Sequence, residues 1–224
     1  MNNVVIYSTP SWLTAFTTGR DSGVEALGLR LEDFALPRQV HSDNICWMKK
    51  PGRPEQTDAV ITDQPGLCVC VKTADCIPIL LYDTKKRLVA AVHAGWRGTV
   101  ARIVSKTIKQ MQPVSPDDIH AIIGPGISLE WFEVGDEVYE TFMTEGFPMD
   151  RIAKLYPSQD SGKEAWHIDL WEANRWLLEE QGVTDIFVEG TCTRTSPDFY
   201  SARRETINTG RNYNGIFIKN EGMK

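Results

Sequence analysis

Histidine is scarce in this chain of 224 residues, which has only four. No apolar run approaches the roughly 18 residues a membrane span needs, so no membrane-embedded role is expected. There is no excess of positive charge. Thirty Asp and Glu against 24 Lys and Arg give a net charge of −6, and such a field repels nucleic acid and anionic lipid. The five cysteines are an odd number and cannot all be paired in a disulfide framework. The chain does not open on a charged start, an apolar stretch and a small-residue cleavage site. A reducing, cytoplasmic setting is therefore expected. Internal repeats and long low-complexity linkers are also lacking, which favours one domain over residues 1–224.

Short apolar runs recur at 4–7, 59–62, 67–71, 77–82, 88–93, 119–123, 185–188 and 216–219. Several are too uniformly apolar to alternate, as strands buried on both faces are. Helical stripes lie between them. Val100, Ile103, Val104, Thr107, Ile108 and Met111 share one face, with Thr99 as the expected cap. Val134, Val138 and Phe142 form a second stripe. Leu170, Ala173, Leu177 and Leu178 form a third, which Gly182 is placed to end. Residues 51–54 and 156–162 read as loops. The mixed order implies an α/β (α+β) fold.

His41, Cys76 and His93 each sit in a distinctive short motif: Gln39-Val40-His41-Ser42, Thr73-Ala74-Asp75-Cys76 and His93-Ala94-Gly95-Trp96-Arg97-Gly98. Two histidines and a cysteine can hold Zn²⁺ and leave a fourth position open, as catalytic zinc sites do. Gaps of 35 and 17 residues exclude a zinc finger, so the ligands must converge from separate elements. His93 closes a strand before a Gly-rich turn and a helix, where ligands gather in open α/β sheets. Arg97 in that turn is a forked donor suited to phosphate, and Trp96 is a candidate pocket wall. Asp75 beside Cys76 would be costly to bury without a partner. Cys46, Cys68 and Cys70 read as small buried hydrophobes, and His120 and His167 as surface or structural residues. From Gly190 onward six Lys/Arg face three Asp/Glu. The segment with Thr191, Cys192, Thr193, Arg203, Arg204 and Arg211 reads as an anion or ribose-phosphate contact surface.

These motifs, with 58–66, Ile123-Gly124-Pro125-Gly126-Ile127, Phe132-Glu133-Val134-Gly135 and Cys192-Thr193, resemble the YfiH, or laccase-domain-containing, family of zinc-dependent purine nucleoside phosphorylases. The blocks follow the family's order over roughly positions 39 to 218. The resemblance implies a four-layer α-β-β-α sandwich with His41, Cys76 and His93 as the zinc ligands. It implies phosphorolysis of adenosine, inosine or guanosine to base and ribose 1-phosphate, with adenosine deamination and methylthioadenosine phosphorolysis as further activities. Cys76, His93 and Asp75 are then the expected catalytic residues, Asp75 handling protons in deamination. Gln39, Arg97, Arg203, Arg204 and Arg211 are expected to contact substrate or phosphate. One departure is the amino-terminal motif: residues 16–20 look like its start, but its asparagine and Gly-Asp-Asp run are missing. The family's older label, multicopper polyphenol oxidase, conflicts with the ligand count, since a second copper cluster would need histidines beyond the four present. Two rivals stand beside the phosphorylase: a Cys–His hydrolase acting on cell-wall precursors or amides, with Cys76 as nucleophile, and a non-enzymatic metal-binding module.

Overall fold

Alternation along the strands builds the molecule. The computed structural model describes residues 4–158 and 162–220. The described strands are β1 (Val4–Ile6), β2 (Leu13–Thr18), β3 (Phe34–Ala35), β4 (Ile45–Trp47), β5 (Ala59–Thr62), β6 (Cys68–Thr73), β7 (Ile77–Asp83), β8 (Leu88–Ala94), β9 (Ile119–Ile123), β10 (Glu133–Val134), β11 (Ala153–Pro157), β12 (Glu164–Ile168), β13 (Asp185–Val188) and β14 (Asn212–Ile218). The helices are α1 (Trp96–Val100), α2 (Ile103–Met111), α3 (Asp136–Thr144), α4 (Met149–Ile152) and α5 (Leu170–Glu180). A six-stranded sheet runs β13-β9-β7-β8-β5-β4 and a five-stranded one β1-β2-β14-β6-β3. A small third sheet is ordered β10-β12-β11.

Successive strand residues point to opposite faces, and the cores follow that rule. Leu88, Ala90, Val92 and Ala94 of β8 enter one core with Ile103, Ile108, Phe142 and Leu177 of the helices. Val89 and Ala91 enter a second core with Val69, Val71 and Ile216, between the two large sheets. Beyond the five-stranded sheet, Phe16, Cys68, Cys70 and Phe217 pack under Val24 and Phe34. Strands buried on both faces explain the unbroken apolar runs of β5 and β8. The fold is mixed α/β and dominated by its sheets. Its helical layer covers the six-stranded sheet, and the far side of the other sheet carries two short 3₁₀ turns, Val24–Leu27 and Leu31–Asp33, in place of long helices. After α2 the chain returns through a 3₁₀ turn at Pro116–Asp118 to β9, beside β7 in the same sheet.

Four local expectations change, one being that Val134, expected on the helical stripe with Val138 and Phe142, belongs to β10, while α3 begins only at Asp136. The single helix at 100–111 is two, because Arg102 adopts φ 60° between α1 and α2. Its guanidinium binds Glu180 at 2.7 Å and lies over Phe147 and Trp176, contacts that favour the left-handed residue. Thr99 is consequently not a cap. It is buried within α1, where its hydroxyl accepts from Asn174 Nδ2 at 3.0 Å. Tyr156 and Pro157, expected in a loop, belong to β11, and residues 159–161 of that loop lie outside the described residues. Gly182, at φ 78°, follows α5 as expected, its N–H and that of Val183 turning back to Glu179 and Leu178.

Candidate functional site

The site is assembled around a residue that the motif reading passed over. Asp58 immediately precedes β5 and is fully buried. Its carboxylate accepts the main-chain N–H groups of Val40 at 3.2 Å, His41 at 3.0 Å and Ser42 at 2.7 Å. It also accepts the Ser42 hydroxyl at 2.7 Å and Nδ1 of His93 at 2.8 Å. The His93 N–H returns a bond to the Asp58 carbonyl at 2.8 Å. One carboxylate thus fixes the loop bearing one expected ligand and the ring of another. Burial works to raise the Asp58 pKa, but the bonds from His93 and Ser42 outweigh it and hold the group at about 2. The sequence signals were an acid directly before an apolar strand and its place at the head of the 58–66 block, neither of which assigned it a role.

With Nδ1 of His93 committed to Asp58, Nε2 is the ring atom left to face a ligand, the carboxylate–histidine arrangement seen at metal sites. Cys76 Sγ lies 3.8 Å from His41 Nε2, and the ligand atoms of His41, Cys76 and His93 all fall within 4.8 Å of one another. Bonds of about 2.0–2.3 Å from a tetrahedral ion place its ligands roughly 3.5 Å apart, so this donor set fits a metal with small adjustment. Among the described residues it is the one such cluster found. Burial pushes the Cys76 thiol up, but the charge of His93 and hydrogen bonds from both histidines bring it well below its ordinary range. His93 is pulled down by burial and raised further by Cys76 and Asp58, so its net shift is upward. The opposite shifts are those of a thiol and an imidazole that each stabilise the charged form of the other.

Close approach depends on glycine. A Cβ on Gly95 would stand 3.0 Å from His41 Cδ2 and 3.1 Å from Cys76 Sγ. His41 and Asp75 both take positive φ, 61° and 89°, conformations uncommon outside glycine and concentrated at functional sites. Asp75 is buried and its oxygens accept from Thr193 Oγ1 and the Arg203 N–H, each at 2.7 Å. It therefore ties the carboxyl-terminal segment to the ligand strand end, which answers its need for partners.

The cluster opens into a cavity of about 580 Å³, also lined by Gln39, Lys72, Asp75, Arg203 and Arg211, with Ile127 and Phe132 as apolar wall. Arg97 and Arg204 are not in this lining. Arg97 is exposed and stacks 4.2 Å from the Trp96 ring, and Trp96 packs toward the helical core rather than the cavity. Arg204 commits its guanidinium to the carbonyls of Thr193, Ser196 and Phe199 and to Glu205, clasping its own segment. Gln39 grips the main chain of Lys72, donating to its carbonyl and accepting its N–H, both at 2.8 Å. Cys68 and Cys70 lie in the outer core, apart from the cluster. His120 stacks on Tyr82 and bonds Asp185, and buried His167 bonds the Leu129 carbonyl.

A sequence model of the family described as "Multi-copper polyphenol oxidoreductase laccase" matches residues 15–219. The chain is 44% identical over 203 residues to a purine nucleoside phosphorylase of Bacteroides thetaiotaomicron, covering 84% of this chain and 74% of that one. It is 40% identical over 208 residues to "Adenosine deaminase RL5" of an unknown prokaryotic organism, covering 86% and 78%. In structure it is similar to the hypothetical protein YfiH of Bacillus licheniformis, with a TM-score of 0.88, 24% identity and coverage of 98% of this chain and 97% of that one.

Proposed function

The chain belongs to the multi-copper polyphenol oxidoreductase laccase family, and from that premise we propose that residues 1–224 act as one zinc-dependent purine nucleoside phosphorylase domain. The observation that carries the reading is the His41–Cys76–His93 cluster opening into a cavity with Arg203 and Arg211 in its wall. The relatives named as phosphorylases and as a deaminase support enzyme activity of this kind. Zinc is favoured over copper redox chemistry because His120 and His167 are engaged elsewhere, leaving two histidines and one thiol for any metal.

When bound, zinc supplies a Lewis acid that polarises or orients an oxygen of substrate, phosphate or water. His41, Cys76 and His93 hold it, and Asp58 keeps the His93 ring turned with Nε2 inward. Phosphate attacks the anomeric carbon of the ribose, the carbon–nitrogen bond to the base breaks, and ribose 1-phosphate forms. Arg203 and Arg211 neutralise the phosphate. Phe132 and Ile127 offer the apolar surface a purine ring needs. For deamination, Asp75 is the carboxylate at hand, each oxygen retaining a lone pair beyond the bond it accepts. Methylthioadenosine is a further substrate of the same geometry. The enzyme is proposed to work in the cytoplasm: the five cysteines are free, and no helix of the described residues is long and apolar enough to cross a membrane.

A second reading, a Cys–His hydrolase, draws on the lowered thiol of Cys76 beside His41 and His93. The deciding experiment incubates zinc-loaded protein with adenosine or inosine, with and without phosphate. Free base with ribose 1-phosphate is expected only with phosphate, and Cys76→Ala, His41→Ala and His93→Ala should each lose activity and zinc together. Full activity after exhaustive chelation would overturn the phosphorylase in favour of the hydrolase.

A further inference from the structure

We infer that Lys72 and Arg211, at one margin of the cavity, form a binding subsite for a phosphate group. This inference rests on the phosphorolysis reading and assigns its anion to particular side chains. Lys72 lies near the end of β6, and the next residue, Thr73, pairs with Asn212 at the start of β14. Arg211 directly precedes that pair, so the two cations sit on adjoining strand ends, and both line the cavity.

Positive charge accumulates there with no carboxylate paired to it. Burial together with the nearby charges of Arg53 and Arg211 lowers the pKa of Lys72. Among the described residues, none of Lys72, Arg53 and Arg211 takes part in an ion pair with Asp or Glu. Asp75 is the one acid in the cavity lining, and its oxygens turn toward the Thr193 hydroxyl and the Arg203 main-chain N–H rather than toward a cation. Three self-repelling cations in a chain of net charge −6 are an arrangement that an oxyanion relieves.

Both residues are also held in place. Gln39 clamps the N–H and carbonyl of Lys72, which fixes the main chain from which its side chain lines the cavity. The Arg211 guanidinium binds the carbonyls of Ile207 at 2.7 Å, Gly210 at 3.0 Å and Thr209, so its orientation is set before a ligand arrives, and of its five N–H donors Nε–H and one on Nη2 remain for an anion. Preorganised donors lose less freedom on binding. The phosphate group recognised is either free phosphate, as co-substrate, or the phosphate of a purine nucleotide.

The test is calorimetric titration of the full-length, zinc-loaded protein with inorganic phosphate and, separately, with adenosine 5′-monophosphate. Lys72→Met keeps the main-chain clamp and the aliphatic stem, and Lys109→Met on the exposed face of α2 is the control. Wild-type and control proteins should bind, and Lys72→Met should bind roughly tenfold more weakly, the loss of about one charged hydrogen bond. Dependence on Lys72 with phosphate alone identifies the co-substrate, and with the nucleotide a nucleotide phosphate. Equal binding by Lys72→Met, or no binding by wild type of either ligand, overturns the subsite. Lys72-dependent binding without phosphorolysis would overturn the proposed reaction and leave the subsite standing. If both hold, Lys72→Met should raise KM for phosphate about tenfold and leave KM for nucleoside unchanged.

Discussion

Asp58 bears the heaviest load of any single side chain, since five donors converge on one buried carboxylate. Asp58→Ala leaves the three main-chain N–H groups and His93 unsatisfied, and should cost about 3 kcal/mol or more in denaturant unfolding. Asp58→Asn keeps the shape but replaces one acceptor by a donor. Its expected effect is a 10- to 100-fold weaker zinc affinity, measured by competition with a chromogenic chelator. Unchanged affinity would remove Asp58 from the metal's support. His93 is raised and Cys76 lowered in the metal-free pair, so zinc binding must displace the His93 proton. Zinc affinity should therefore rise with pH across the neutral range, with proton release visible as a buffer-dependent heat.

At the scale of elements, the turn between β8 and α1 sets how closely the ligands approach. Gly95 has an ordinary φ of −72°, so an alanine there meets no backbone penalty, only His41 and Cys76. Gly95→Ala is expected to weaken zinc binding at least tenfold while the melting temperature moves little. A large loss of stability with intact zinc binding would contradict that account. Gly182 differs, because two things oppose alanine there: its φ of 78°, and the Pro116 Cβ only 3.1 Å from where the new methyl would stand. Gly182→Ala should destabilise by more than about 1 kcal/mol without changing metal content, as chemical denaturation would reveal. The helical stripes and buried strands were legible because their periodicities are local. The break at Arg102 was not, since it depends on Glu180, Phe147 and Trp176 supplied by distant segments.

Across the whole molecule, a net charge of −6 coexists with a cavity edged by Lys72, Arg203 and Arg211. The acid side of stability is set in part by Asp58. Its folded pKa of about 2 lies below the ordinary 3.8, so its stabilisation is present above 3.8 and is lost as pH falls toward 2. The contribution is roughly 2 kcal/mol. Thermal unfolding should hold its midpoint from pH 7 to about 4.5 and drop below that. In Asp58→Asn the drop should be shallower, and an equally steep fall would assign the acid sensitivity to other groups. The layers also explain why β2 escaped the sequence reading. Leu13 and Ala15 face the inter-sheet core, Phe16 faces the outer one, and threonines fill the places between, so no clean alternation shows.

By itself, the sequence determined the mixed α/β class, the positions of most long strands, and the three residues of the candidate metal cluster with their motifs. Those features are written in side-chain chemistry and short-range period, which need no partner to be read. Tertiary structure decided which polar residues reach the cavity. Arg203 and Arg211 line it while Arg97 and Arg204 do not, and Lys72 joins it from a strand end. It also decided that Asp58 is the hub and that Asp75 is a tether. A guanidinium or carboxylate carries the same chemistry wherever it sits. Its role is set by the neighbours that the fold brings from far along the chain, and those distances are not encoded in any local pattern.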